Sequence, residues 1–214
     1  MIQIPEEDLL LTVGTAGAAE IKVKGSRFIA LAQGAALRTD AGKIVLGEEK
    51  KYHAANHHCW AWRSAGRPEA EYAWDDDGEP SGTAGAPILK AIDGKSLVGA
   101  VVVVTRYFGG TKLGTGGLAR AYSEAALAAL AAAVVKNGMN AKAFSLSLEY
   151  PRLGTVSNLL EAFPCRVLSR DFGARAGLNI AVAASRAEDL LRAVSELTAG
   201  AVVVAPGQTG PVFF

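Results

Sequence analysis

From Gly99 to Val104 the chain is apolar without a break, and soon afterwards five glycines fall within the nine positions Gly109–Gly117. The two features together constrain the fold more than anything else in the sequence. A strand with no polar alternation must be covered on both faces, which places Leu97–Thr105 at the centre of a sheet in a layered domain. An Ala-rich stretch follows the glycines and reads as a long helix from about Gly116 to Val135, stopped by Lys136-Asn137-Gly138. Glycine loses more freedom on ordering than any other residue, so a bland linker is a poor use of five of them. The turn therefore needs positive φ, or a close approach by another surface, or it offers its N–H groups and the positive helix end to an anion.

Around this centre, residues 1–138 read as one α+β domain. The hairpin spans Thr12–Ala36, with strands Ala19–Val23 and Ser26–Leu31. A helix over Ala41–Tyr52, a strand over His57–Arg63, a loop over Glu69–Pro80 and a short helix over Ala84–Ala91 precede the central strand.

Residues 139–214 parse as a second domain. Lys142–Tyr150 alternates as a half-buried strand, and Pro151 opens a helix with Leu153, Val156, Leu159, Leu160 and Phe163 on one face, ended by Pro164. Strands over Arg166–Phe172 and Leu178–Ala183 flank a hairpin spacer, Gly173–Gly177. Ser185, with Glu188 three residues on, reads as a capping box for a helix that buries Leu190, Leu191, Val194 and Leu197 and ends near Gly200. Ala201–Val204 is the last strand. The order βαββαβ is the ferredoxin-like split arrangement.

The 214 residues are 50% apolar and 20% charged with a net charge of +1, which excludes disorder and a wholesale nucleic-acid coat. The longest Ala-rich run, Ala125–Val135, is too short to span a bilayer, where roughly 20 residues are needed. An acidic N-terminus is unlike a secretory signal, and two distant cysteines, Cys59 and Cys165, are no disulfide framework. A cytoplasmic location is expected, with no membrane contact.

Charge is uneven at finer scale. Glu69, Glu71, Asp75, Asp76, Asp77 and Glu79 crowd one loop, whereas no acid lies between Asp93 and Glu124, a window holding Lys95, Arg106, Lys112 and Arg120. Any anion site is thus local to the Gly-rich turn, with Arg106 and Lys112 flanking it and Arg120 one turn into the helix. The spacing is neither a Walker motif nor a Rossmann fingerprint, and tight helix–sheet packing would equally require the glycines.

Two further segments hold residue types that could carry chemistry. An EF-hand centred on Gly78 would need acids where Ala73 and Ala84 stand, so calcium fails. A magnesium site on one or two of these carboxylates is an alternative to the simpler reading, in which Thr83 or Ser81 caps the helix with Pro87 in its first turn. The histidines His53, His57 and His58 sit near Cys59, but strand alternation separates His57 and Cys59 from His58, Trp60 and Trp62, which splits a would-be zinc set. Ser81 has no nucleophile elbow around it. No catalytic residue, metal or cofactor is assigned.

The segments Lys24–Ala30, His58–Arg63, Asp76–Gly85 and Arg106–Leu118, in that order, resemble the IMPACT/YigZ family. The likeness covers about residues 16–130, and the C-terminal half is similar to the small domain that bacterial YigZ-type members append. It implies a first domain folded like the second domain of ribosomal protein S-five, followed by a ferredoxin-like domain. It also implies a role in translational regulation. The resemblance further implies a second motif made of His58, Asp76, Asp77, Glu79, Ser81 and Thr83.

The expected function is contact with RNA or the ribosome through Arg106, Tyr107, Phe108, Gly109, Gly110, Lys112, Gly114, Gly116, Gly117 and Arg120. Cations position phosphate and aromatic rings stack. One alternative is a protein–protein adaptor in translation control, docking around Trp60 and Phe108. The other is a phosphate-ligand enzyme of the small-molecule kinase type, with Asp76 or Asp77 holding magnesium.

Overall fold

The computed structural model describes residues 3–66 and 71–214. Its chain order is β1 (Leu9–Thr15), β2 (Gly17–Val23), β3 (Ser26–Gly34), α1 (Arg38–Lys51), β4 (His57–Arg63), β5 (Tyr72–Asp75), α2 (Gly85–Asp93), β6 (Ala100–Tyr107), α3 (Thr115–Ala132), β7 (Val134–Leu148), α4 (Tyr150–Glu161), β8 (Cys165–Phe172), β9 (Ala176–Ala183), α5 (Ala187–Thr198) and β10 (Val203–Phe213). The fold is α+β and two-domain. One compact unit is Leu11–Lys136; the other is Asn137–Phe214 together with the described residues up to Leu10. The expected division at 138/139 left those first residues in the N-terminal domain. They group with the C-terminal unit because Asp8 accepts hydrogen bonds from the Ser185 amide and hydroxyl, and Ile4 packs on Met139 and Ala181.

In the first unit an antiparallel sheet runs in the order β2-β3-β6-β4-β5. The unbroken apolar strand is central, as its composition requires. Val102 and Val104 face α2 and α3, where they meet Phe28, Cys59 and Ala61. Val101 and Val103 face α1 and pack with Trp62 and Val45. Alternation along β4 therefore sends Cys59 into one core and Trp62 into the other.

Three local expectations differ from what forms here. The Glu69–Pro80 loop contains a fifth strand, β5, paired with β4 through Trp60↔Asp75 to Arg63↔Tyr72; Glu69 lies outside the described residues. Asn137-Gly138 does not stop α3. The helix ends at Ala132, where Ala133 turns extended, and β7 runs through both residues because β10 lies so close that a side chain on Gly138 would meet the Phe213 ring. Neither Ser81 nor Thr83 caps α2: Ser81 is exposed and Thr83 Oγ1 donates to the Pro80 carbonyl. Asp76 takes the capping role from eight residues upstream.

The second unit has the strand order β10-β7-β9-β8, all pairs antiparallel, with α4 and α5 on one face. This is the expected βαββαβ arrangement. Pro151 sits in the first turn of α4. Ser185 is not the cap of α5, since its hydroxyl is committed to Asp8 and a 3-10 turn precedes the helix. Leu197 is exposed, whereas Leu190 and Val194 are buried.

Candidate functional site

Arg106 points from the end of β6 into the α2–α3 side of the sheet and is only 4% exposed. A buried charge must be paired. Its NH1 donates to Glu79 Oε1 at 2.6 Å and its NH2 to Ser26 Oγ at 3.2 Å. The guanidinium also lies 5.5 Å from the ring centres of both Phe28 and Phe108. Glu79 Oε1 accepts a second hydrogen bond, 2.7 Å from Tyr122 Oη on α3. Arg106 was expected as a surface cation for phosphate; it is instead the centre of a buried polar network. That network joins the acidic loop to the Gly-rich segment.

Two more groups border it. Cys59 Sγ lies 3.0 Å from the Asp76 carbonyl and 3.3 Å from Tyr122 Oη. Burial, with Glu79, Asp77 and Asp76 nearby, pushes this thiol far above the usual range despite the bond to Tyr122, so its neutral form is favoured. His57 Nδ1 is 2.7 Å from the Asp77 carbonyl, which fixes the proton there and leaves Nε2 facing Glu79 Oε1 at 3.9 Å. His58 is on the opposite face, its Nδ1 3.0 Å from Thr105 Oγ1.

The aspartates shape the loop. Asp75 accepts from the Asp77 amide and Asp77 from the His58 amide. Asp76 accepts from Gly82, Ala84 and Gly85. Partial burial works against its ionised form, but the three N–H donors outweigh this and hold its carboxyl below the usual range. Among the described residues no group of three His, Cys, Asp or Glu is placed to hold a metal.

The Gly-rich segment is built for close approach at one end and openness at the other. Gly109 stacks against the Gly25–Ser26 backbone, where any side chain would collide, and its amide donates to Ser26 Oγ. The Phe108 amide donates to Asn56 Oδ1. Beyond these, Gly110 and Gly114 have φ of 84° and 70° with open space around them. The first helical bond of α3 is Leu118 N–H to the Gly114 carbonyl, and no side chain caps the helix. The N–H groups of Thr115, Gly116 and Gly117 thus have no intrahelical partner.

Phe108 is 47% exposed, and Lys112 and Arg120 are exposed, with no acid in ion-pair distance among the described residues. Tyr107 is half-buried beside Arg27. Trp60 is partly buried and packs against the α1 core. Ser26, Asn56, His57 and Tyr122 were not singled out for these contacts. Tyr122 alone carried a signal, as the one hydroxyl-bearing aromatic on an otherwise Ala-rich helical face.

A two-domain α+β protein whose Gly-rich turn is buttressed by a buried Arg–Glu–Tyr network is the class this geometry defines. Residues 24–130 match the Impact N-terminal domain, and residues 146–201 match a domain of unknown function, DUF1949. An IMPACT family member of Haemophilus influenzae is 35% identical over 187 residues, covering 86% of this chain and 90% of the relative. YigZ of Escherichia coli, also an IMPACT family member, is 31% identical over 183 residues, 85% of this chain and 89% of its own. YvyE of Bacillus subtilis, a third IMPACT family member, is 37% identical over 149 residues, 70% of this chain and 68% of its own. A crystal structure described as that of an hypothetical protein, 27% identical, superposes with a TM-score of 0.67 over 94% of this chain and 98% of that one. The chain belongs to the IMPACT family. No helix among the described residues is long and apolar enough to cross a membrane.

Proposed function

We propose that this protein acts in translational regulation by contacting RNA, most directly that of the ribosome, through the open end of the Gly-rich turn. One observation carries the reading: the segment that leads from an exposed aromatic ring, Phe108, into an uncapped helix start carries two exposed cations, Lys112 and Arg120. Unstacked bases in RNA loops stack on such a ring, while lysine, arginine and first-turn N–H groups meet phosphate. Arg106 takes no part in contact. It holds Phe108 from beneath and ties the turn to the acidic loop, whose charge keeps phosphate off the neighbouring face.

Ribosome cosedimentation across a salt series tests this. Binding should weaken with salt, and the Lys112→Glu/Phe108→Ala double variant should lose association and flatten the salt dependence by about one phosphate contact. Association indifferent to both salt and these substitutions overturns the reading.

A further inference from the structure

A second surface of the first unit, on the solvent side of α2 and α3, has a different chemistry from the turn. Ala86 and Pro87 of α2 and Ala119 of α3 floor a groove of about 740 Å³, and Leu127, 41% exposed, closes one end. Lys90 and Arg120 stand along it, and neither has a carboxylate within ion-pair distance among the described residues. The groove thus combines an apolar floor with a net positive lining, two cations against the one acid Glu124.

We infer that this groove binds an acidic amphipathic segment of another protein. Apolar side chains of the segment seat between Pro87 and Leu127 and remove that floor from water, while its carboxylates meet Lys90 and Arg120. Phosphate would satisfy the two cations and leave the floor wet, so nucleic acid is the poorer match. A second copy of this chain is poorer still. A two-fold contact sets the same patch against itself, so a net positive lining, Lys90 and Arg120 against the one acid Glu124, meets a lining of the same sign. Glu124, one turn beyond Arg120, also borders the groove. It repels an acid at that position, so the segment carries a neutral or basic residue there.

The full chain is panned against a displayed library of random helix-length peptides, with the Leu127→Glu variant as counter-selection. Enriched peptides should pair apolar residues with Asp or Glu at helical spacing. One such synthetic peptide should shift amide resonances of residues 86–90 and 119–127. Lys90→Glu should weaken it about tenfold, and replacing the peptide's acids by lysine should restore affinity for that variant. Both variants alter exposed positions, and an unchanged thermal midpoint confirms that they fold. Enrichment of basic peptides, resonance shifts confined to other surfaces, or binding unaffected by Leu127→Glu overturns the inference. So does sedimentation showing a dimer that Leu127→Glu dissolves. Arg120 belongs to both surfaces and stays intact with Lys112 and Phe108, so peptide binding lost in Lys90→Glu or Leu127→Glu while ribosome association is unchanged separates the groove from the turn.

Discussion

Arg106 NH1 lies 2.6 Å from Glu79 Oε1, with only 5% and 4% of the two side chains exposed. The pair joins residues 27 positions apart in sequence and sits directly beneath Phe108. It is the reason the acidic loop and the Gly-rich turn form one corner of the molecule.

Breaking that pair from one side should be severe. Glu79→Gln or Arg106→Met leaves a buried charge uncompensated, and urea unfolding should show a loss of about 3–5 kcal/mol. The double change Glu79→Gln/Arg106→Met removes both charges and should cost less than the two single losses added. If the double variant's loss equals their sum, the two charges are not coupled.

Asp76 gives a pH signature. Its folded carboxyl titrates below the unfolded value of about 3.9, so the stabilisation it provides is fully present above that pH. It is lost as pH falls through the lower folded value. Asp76→Ala should cost about 0.5–2 kcal/mol at neutral pH, the range for a lost helix cap, and should flatten the acid limb of a stability–pH curve. An acid limb unchanged by the substitution would show that the three amide bonds do not favour the ionised carboxylate.

Both thiols should be slow to label in the native protein. Burial raises Cys59 far above its usual range and pushes Cys165 up to about 12. A thiol-reactive disulfide at pH 8 should therefore modify neither quickly, and both at once in denaturant. Rapid stoichiometric labelling of Cys59 under native conditions would mean that the Asp76–Tyr122 surroundings open readily.

The pattern of elements was legible where periodicity is strong. Gly99–Val104 announced a central strand, β4 carried its alternation into two separate cores, and Pro151 marked the start of α4. What failed were judgements that hang on distant partners. Asn137-Gly138 looks like a helix stop until β10 is seen beside it, and Ser185 looks like a cap until Asp8 claims its hydroxyl. The placement of Arg106 followed the same pattern. Arg106 has the composition of a surface cation because the acid that pairs with it lies across the sheet, in a loop whose own hydrogen bonds no spacing rule encodes.

Gly109 and Gly110 separate two reasons for glycine at adjacent positions. At Gly110 the backbone has φ of 84° and nothing stands within reach of an added side chain, so Gly110→Ala should cost only the left-handed penalty, about 1–2 kcal/mol. At Gly109 an added methyl meets the Gly25 carbonyl and the Ser26 amide. Gly109→Ala must push the β2–β3 turn away from the end of β6. That movement breaks the Gly109 amide bond to Ser26 Oγ, and the same hydroxyl then shifts from Arg106 NH2. The alanine at 109 should therefore lower the thermal midpoint more than the alanine at 110 does, and slow labelling of Cys59 should become faster as Arg106, Glu79 and Tyr122 loosen. Equal effects at the two positions would mean that the Gly25–Gly109 contact does not buttress the turn.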